Sequence, residues 1–146
     1  MIARVASAGY SGTPLPQKLG IKDDHRVALI DAPRGFSLPP LPPGVQLQRG
    51  LTGKQLLDVL VVFVTRRADL IARLAACRPR MTQAAGLWIA WPKRASGVTT
   101  DVTEDTVREI ALPTGLVDNK VCAIDDTWSG LRLVIRKELR TQASPK

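Results

Sequence analysis

Residues 86–105, GLWIAWPKRASGVTTDVTED, decide how the chain is read. Gly86 to Trp91 is an apolar run without alternation, the pattern of a strand buried on both faces. Pro92, Lys93, Arg94, Ser96 and Gly97 then form a loop. Asp101, Glu104 and Asp105 follow at a helix start, where the helix dipole favours acids. Aromatic, cationic and small polar side chains therefore meet where the strand ends. In an open α/β sheet, ligands sit at that edge.

Upstream, residues 56–64, LLDVLVVFV, are the strongest strand signal in the chain. Their length and β-branched content mark a central parallel strand. Thr65, Arg66 and Arg67 end it, and a helix is predicted over 68–77 with Leu70, Ile71 and Leu74 on its inner face. Residues 25–31, HRVALID, read as the first strand. Asp31-Ala32-Pro33-Arg34-Gly35-Phe36 follows, and the five prolines between Pro33 and Pro43 forbid a helix there. That segment is a stiff, partly polyproline II connector to a short strand at 45–48.

Downstream, the helix beginning near Thr103 turns Val107, Ile110 and Ala111 inward and stops at Pro113 and Gly115. Strands are predicted over 117–124 and 131–138, joined by a turn at 125–130 that holds Trp128. In the second of them Leu131, Leu133 and Ile135 alternate with Arg132, Val134 and Arg136, which reads as an antiparallel hairpin. Residues 1–24 form an N-terminal arm with a helical turn at 17–19, packing Tyr10 and Leu15 on the sheet. Residues 25–140 are a single α/β domain, and 141–146 a flexible tail. The predicted architecture is a Rossmann-like, mostly parallel sheet closed by a C-terminal antiparallel hairpin.

The 146 residues carry 21 Lys and Arg against 13 Asp and Glu, a net charge of +8. That excess favours anionic partners. No block of like charges marks a nucleic-acid tail, and aromatics, at 4%, are too few for a base-stacking platform. No apolar run reaches membrane-helix length and no signal peptide is evident, so a cytoplasmic protein is expected. Cys77 and Cys122 make no metal-binding spacing with the lone His25 and read as buried free thiols.

The element order resembles the second half of a class I methyltransferase fold, with the first half shortened by the proline-rich connector. That resemblance implies an acidic-Gly-x-Gly-x-Gly loop after the first strand and an acid ending the second, both serving S-adenosylmethionine. This chain has Asp31-Ala32-Pro33-Arg34-Gly35 in the first place and Gln48-Arg49-Gly50 in the second. The stretches GYSGTPLPQKLGI, HRVALIDAPRGF, VTRRADL, GLWIAWPKRASGVTTDVTED and GLVDNKVCAIDDTWSGLRLVIRKEL also resemble a mostly actinobacterial family with a domain of unknown function. That second resemblance implies a fold and a cytoplasmic location, and no activity.

The strand ends should gather Arg34, Arg66, Arg67, Trp91, Lys93, Ser96 and Gly97 as a ligand-binding edge, beside Asp31, Thr65 and Arg94. His25 opens the first strand and should lie at the far edge, so no catalytic residue is assigned. No metal and no cofactor is expected. Three readings follow. The first is a non-catalytic module binding an anionic small molecule or a protein partner. The second is a small methyltransferase-like enzyme with an altered cofactor site. The third is a nucleic-acid-binding module. The oligomeric state is not legible.

Overall fold

The computed structural model describes residues 13–38 and 40–140. Strands β1 (Arg26–Ile30), β2 (Gln46–Arg49), β3 (Leu57–Phe63) and β4 (Met81–Pro92) run parallel. Strand β6 (Trp128–Ile135) lies antiparallel between β4 and β5 (Leu116–Ala123). The order across the six-stranded sheet is β2-β1-β3-β4-β6-β5. The chain is thus a mostly parallel α/β sheet closed by an antiparallel hairpin, as its apolar patterning predicts.

Strands β1 and β3 have neighbours on both sides, and every residue from Val27 to Ile30 and from Val59 to Phe63 is buried. Alternate side chains serve two separate cores. Ala28, Ile30, Leu60 and Val62 face helices α2 (Arg67–Cys77) and α3 (Glu104–Ala111). Leu70, Leu74 and Cys77 form the buried stripe of α2, at the spacing one helix face requires. Ile71, expected on that face, is 50% exposed, because one residue turns the side chain about 100° from the stripe. Thr103 caps α3 reciprocally with Thr106.

Among the described residues the opposite face carries no long helix. Val27, Leu29, Val59, Val61, Phe63, Trp88 and Ala90 are covered there by irregular chain. Leu19 and Ile21 come from the segment after α1 (Leu15–Lys18), and Phe36, Leu38 and Leu41 from the proline-rich connector. Trp88 fastens this cover: its ring is 0% exposed and its Nε1–H donates to the Leu19 carbonyl at 3.0 Å. Gly130, opposite Ala90, leaves room for that ring. A Cβ at Gly130 would lie 2.9 Å from Ile124 Cδ1 and 3.1 Å from Trp88 Cε3.

The structure corrects several boundaries. Strand β4 starts at Met81, not Gly86. Gln83 and Ala84 are exposed, since β6 pairs with β4 only from Leu87 onward, so this stretch shows no apolar run. Trp128 belongs to β6, paired with Pro92, rather than to the turn. Strand β6 ends at Ile135, and a single 3-10 turn, Lys137–Leu139, replaces the rest. The α1 turn spans Leu15–Lys18 and packs Leu15 as expected, while Tyr10 and the tail at 141–146 lie outside the described residues. Among the described residues no helix is long and apolar enough to cross a membrane.

Two substitutions test this packing by urea denaturation. Trp88→Phe removes the donor to Leu19 and is expected to lower stability by about 1–3 kcal/mol. Gly130→Ala forces a methyl group into Trp88 and Ile124 and is expected to lower it by about 1–3 kcal/mol. Wild-type stability in both would contradict the packing described.

Candidate functional site at the strand C-terminal edge

Hydrogen bonds knit the edge from three segments. The Val64 amide donates to Ala90 at 2.9 Å, extending the β3–β4 ladder to its end. The Thr65 carbonyl accepts from Thr100 Oγ1 at 2.7 Å and from the Asp101 amide at 3.3 Å. Asp101 Oδ1 in turn accepts from the Arg67 amide at 2.6 Å, at the start of α2. The loop after β4 is thereby folded back against the end of β3. The Lys93 amide donates to the Thr127 carbonyl at 2.7 Å, joining the loop to the β5–β6 turn. That turn is held by Asp125 Oδ1, which accepts from the amides of Thr127 and Trp128, each at 2.8 Å. The Asp125 carboxylate is therefore structural, as turn chemistry predicts.

The expected site residues divide. Arg34, Arg66 and Arg94 are exposed and Lys93 is half-buried, and none of the four has an ion pair among the described residues. Arg67 is exposed but pairs with Glu109 at 2.9 Å, bridging α2 to α3. Trp91 leaves the rim altogether. It is 7% exposed and packs in the core under α2 and α3, the face opposite Trp88. The two tryptophans are three positions apart, an odd offset that places them on opposite faces.

Ser96 and Gly97 build the turn. Ser96 Oγ donates to the Lys93 carbonyl at 2.7 Å and accepts from the Val98 amide at 3.2 Å. Gly97 has φ 77°, the left-handed conformation that closes a 3-10 turn, and its amide donates to the Arg94 carbonyl at 3.3 Å. Asp31, also left-handed at φ 60°, is gripped by Arg73 through two hydrogen bonds of 2.7 and 3.0 Å. His25 precedes β1 at the far edge, where its Nδ1 accepts from the Lys22 amide at 3.1 Å. No cluster of metal-binding side chains occurs among the described residues.

One feature escaped the sequence. Phe36, Phe63 and Trp128 form an edge-to-face ladder, with ring centroids 4.8 Å apart in the first pair and 5.1 Å in the second. It fills the connector side of the strand ends. Phe63 ends β3 and Phe36 is the single aromatic of the connector, a conjunction that was readable but is diluted because Phe63 and Trp128 lie 65 positions apart.

No family model matches the chain, and no curated protein does either. Solved structures do match. A SAM-dependent methyltransferase from Aquifex aeolicus superposes with a TM-score of 0.58 at 13% identity, over 83% of this chain and 88% of that one. Aeropyrum pernix fibrillarin, with natively bound S-adenosylmethionine, gives 0.55 at 12% identity over 82% and 73%. The DhpI–SAH complex gives 0.56 at 9% identity over 85% and 83%. The fold is methyltransferase-like. At such identities the likeness extends to the fold alone.

The residues at the edge do not suit S-adenosylmethionine in the way that fold implies. After β1 the chain runs into the connector, so no helix N-terminus faces the edge there. Asp31 is held by Arg73. Strand β2 ends at Arg49, whose guanidinium donates to the Phe36 carbonyl at 3.2 Å and latches the connector down. The aromatic ladder lies over the same strand ends.

The two thiols differ in environment. Burial pushes Cys77 up to about 12, against a partial opposing effect of Arg73 and Arg80. Cys122, half-buried, is also raised by burial. A disulfide reagent at mild alkaline pH is expected to modify Cys122 in the folded protein and Cys77 only on unfolding. Equal rates in the native state would contradict the burial of Cys77.

Proposed function

We propose that this cytoplasmic protein is methyltransferase-like with an altered cofactor site. The strand edge keeps its role as the ligand edge and takes a phosphate-bearing anion through Arg34, Arg66, Lys93 and Arg94. The observation that supports this reading is the contrast in pairing. Arg67, Arg73 and Arg108 each hold a carboxylate, whereas these four cations hold none among the described residues. Charge left unpaired beside a strand end suits an anion, which would gain charge-assisted hydrogen bonds.

The chemistry these residues support is binding and orientation. A general base would need to reach a nucleophile. Ser96 is committed to its turn, Asp31 to Arg73, and His25 lies at the other edge. Any reacting group would therefore come with the ligand.

Thermal unfolding with inorganic phosphate, pyrophosphate and ATP tests the proposal. Saturating pyrophosphate or ATP is expected to raise the Tm by at least about 2 °C. Lys93→Ala and Arg66→Ala are each expected to weaken the effect about tenfold, since a charge-assisted hydrogen bond contributes about 1.5–3 kcal/mol. An unchanged Tm with all three anions would overturn the reading.

A further inference from the structure

The ion pairs of this protein gather toward one face. Each ion pair among the described residues lies on the helix-covered side or its rim: Arg67 with Glu109, Arg73 with Asp31, and Arg108 with Glu104, Asp105 and Asp118. Arg108 thereby ties α3 to β5, and its hydrogen bond holds the Asp118 carboxyl below its usual range. On the opposite face Lys22, Lys120 and Arg132 hold no carboxylate among the described residues.

On that face two adjoining open grooves, of about 460 and 330 Å³, run between α1 and β5. They share Gln17, Lys18 and Lys120. Lys22, Asn119 and Arg132 extend them at one end, and among the described residues no carboxylate lines either. Asp23 and Asp24 follow Lys22 in the chain but do not line the grooves. The walls are fastened to each other. Lys18 Nζ donates to the Ala123 carbonyl at 3.2 Å, and Lys120 Nζ to the Lys18 carbonyl at 3.3 Å. These bonds join GYSGTPLPQKLGI to GLVDNKVCAIDDTWSGLRLVIRKEL, two stretches that the strand-edge site does not use.

Arg132 is the most telling member. Its guanidinium lies across Gly86, where a Cβ would sit 2.6 Å from Nε. Among the described residues its guanidinium makes one hydrogen bond, to the neutral Asn119 Oδ1 at 3.3 Å. Burial, reinforced by nearby Arg140, lowers its pKa, the mark of a cation desolvated without a counter-charge. A protein tolerates that arrangement at a cost, and a bound anion removes it.

We propose that this groove binds the sugar–phosphate backbone of a nucleic-acid strand. Lys22, Lys120 and Arg132 meet phosphates beside Lys18, and the amides of Gln17 and Asn119 add neutral donors. The groove follows β5 from Asn119 to Ala123, a run of about 13 Å, enough for more than one phosphate. Among the described residues no aromatic ring lines it, so contact is with phosphate and sugar and recognition is independent of sequence.

Fluorescence anisotropy with a labelled mixed-sequence single strand of roughly 20 nucleotides, titrated against salt, tests this. The native protein is expected to bind at low salt and to weaken linearly in log Kd with log salt. The double substitution Lys22→Ala, Lys120→Ala is expected to weaken binding at least about tenfold and to reduce the slope by about 1.4. Lys54→Ala, Lys137→Ala removes the same charge at two positions that line neither groove and is expected to change binding less than about twofold. Absence of binding at low salt overturns the proposal, as does equal weakening by the two pairs, which would mean diffuse attraction. Complete displacement of the strand by millimolar pyrophosphate would assign the groove to small anions and overturn it as well. Because these variants leave Arg66 and Lys93 intact, this test and that of the strand edge fail separately.

Discussion

The hydrogen bond from Trp88 Nε1 to the Leu19 carbonyl is the constraint on which the arrangement depends. A sheet buried on two faces needs two covers. Helices α2 and α3 supply one. On the other side the cover is irregular chain, which must satisfy its own backbone groups. Trp88 supplies area and a donor at once: its ring fills the space beside Gly130 and Ile124, and its N–H satisfies a buried carbonyl. The cost of a missing donor there is about 1–3 kcal/mol. That one side chain therefore holds the segment after α1 in place, and through it one wall of the cationic groove.

The same substitution of chain for helix reshapes the strand C-terminal edge. In this fold an anion or cofactor is ordinarily met by a glycine-rich turn and the helix N-terminus behind it. Here prolines prevent that helix, Arg49 latches the connector through the Phe36 carbonyl, and Phe36, Phe63 and Trp128 occupy the space beside the strand ends. The cations next to them, on the loops after β1, β3 and β4, are left to define what the edge attracts. The scaffold is methyltransferase-like, and the anion proposed for it would be met by loop cations rather than by a helix N-terminus behind β1.

Much of the fold was legible because β1, β3 and the later half of β4 are buried on both faces and so read as continuous apolar runs. Thr103 and the acids after it announced α3 for an equally local reason. The start of β4 was hidden because Thr82, Gln83 and Ala84 have no β6 partner and look polar or small. The site was harder to read. Positions along the chain placed Arg34, Arg66, Lys93 and Arg94 at one edge, but pairing is a property of the folded chain. Arg67 with Glu109, and Asp31 with Arg73, each join residues 42 apart. Trp91 was placed on the correct face and at the wrong depth, since nothing local reveals that α2 and α3 cover it. The groove at Lys18 and Lys120 was invisible for the same reason, its walls lying 102 residues apart.

The central proposal is that the strand edge of this methyltransferase-like fold takes an anion and not S-adenosylmethionine. Amide chemical-shift mapping on the folded protein tests it most directly. Pyrophosphate is expected to perturb the amides of Arg34, Gly35, Arg66, Arg67, Lys93 and Arg94, while S-adenosylmethionine leaves the spectrum unchanged. Saturable shifts with S-adenosylmethionine at Asp31, Ala32, Gly35 and Gly50, and none at Lys93 with pyrophosphate, would contradict the account.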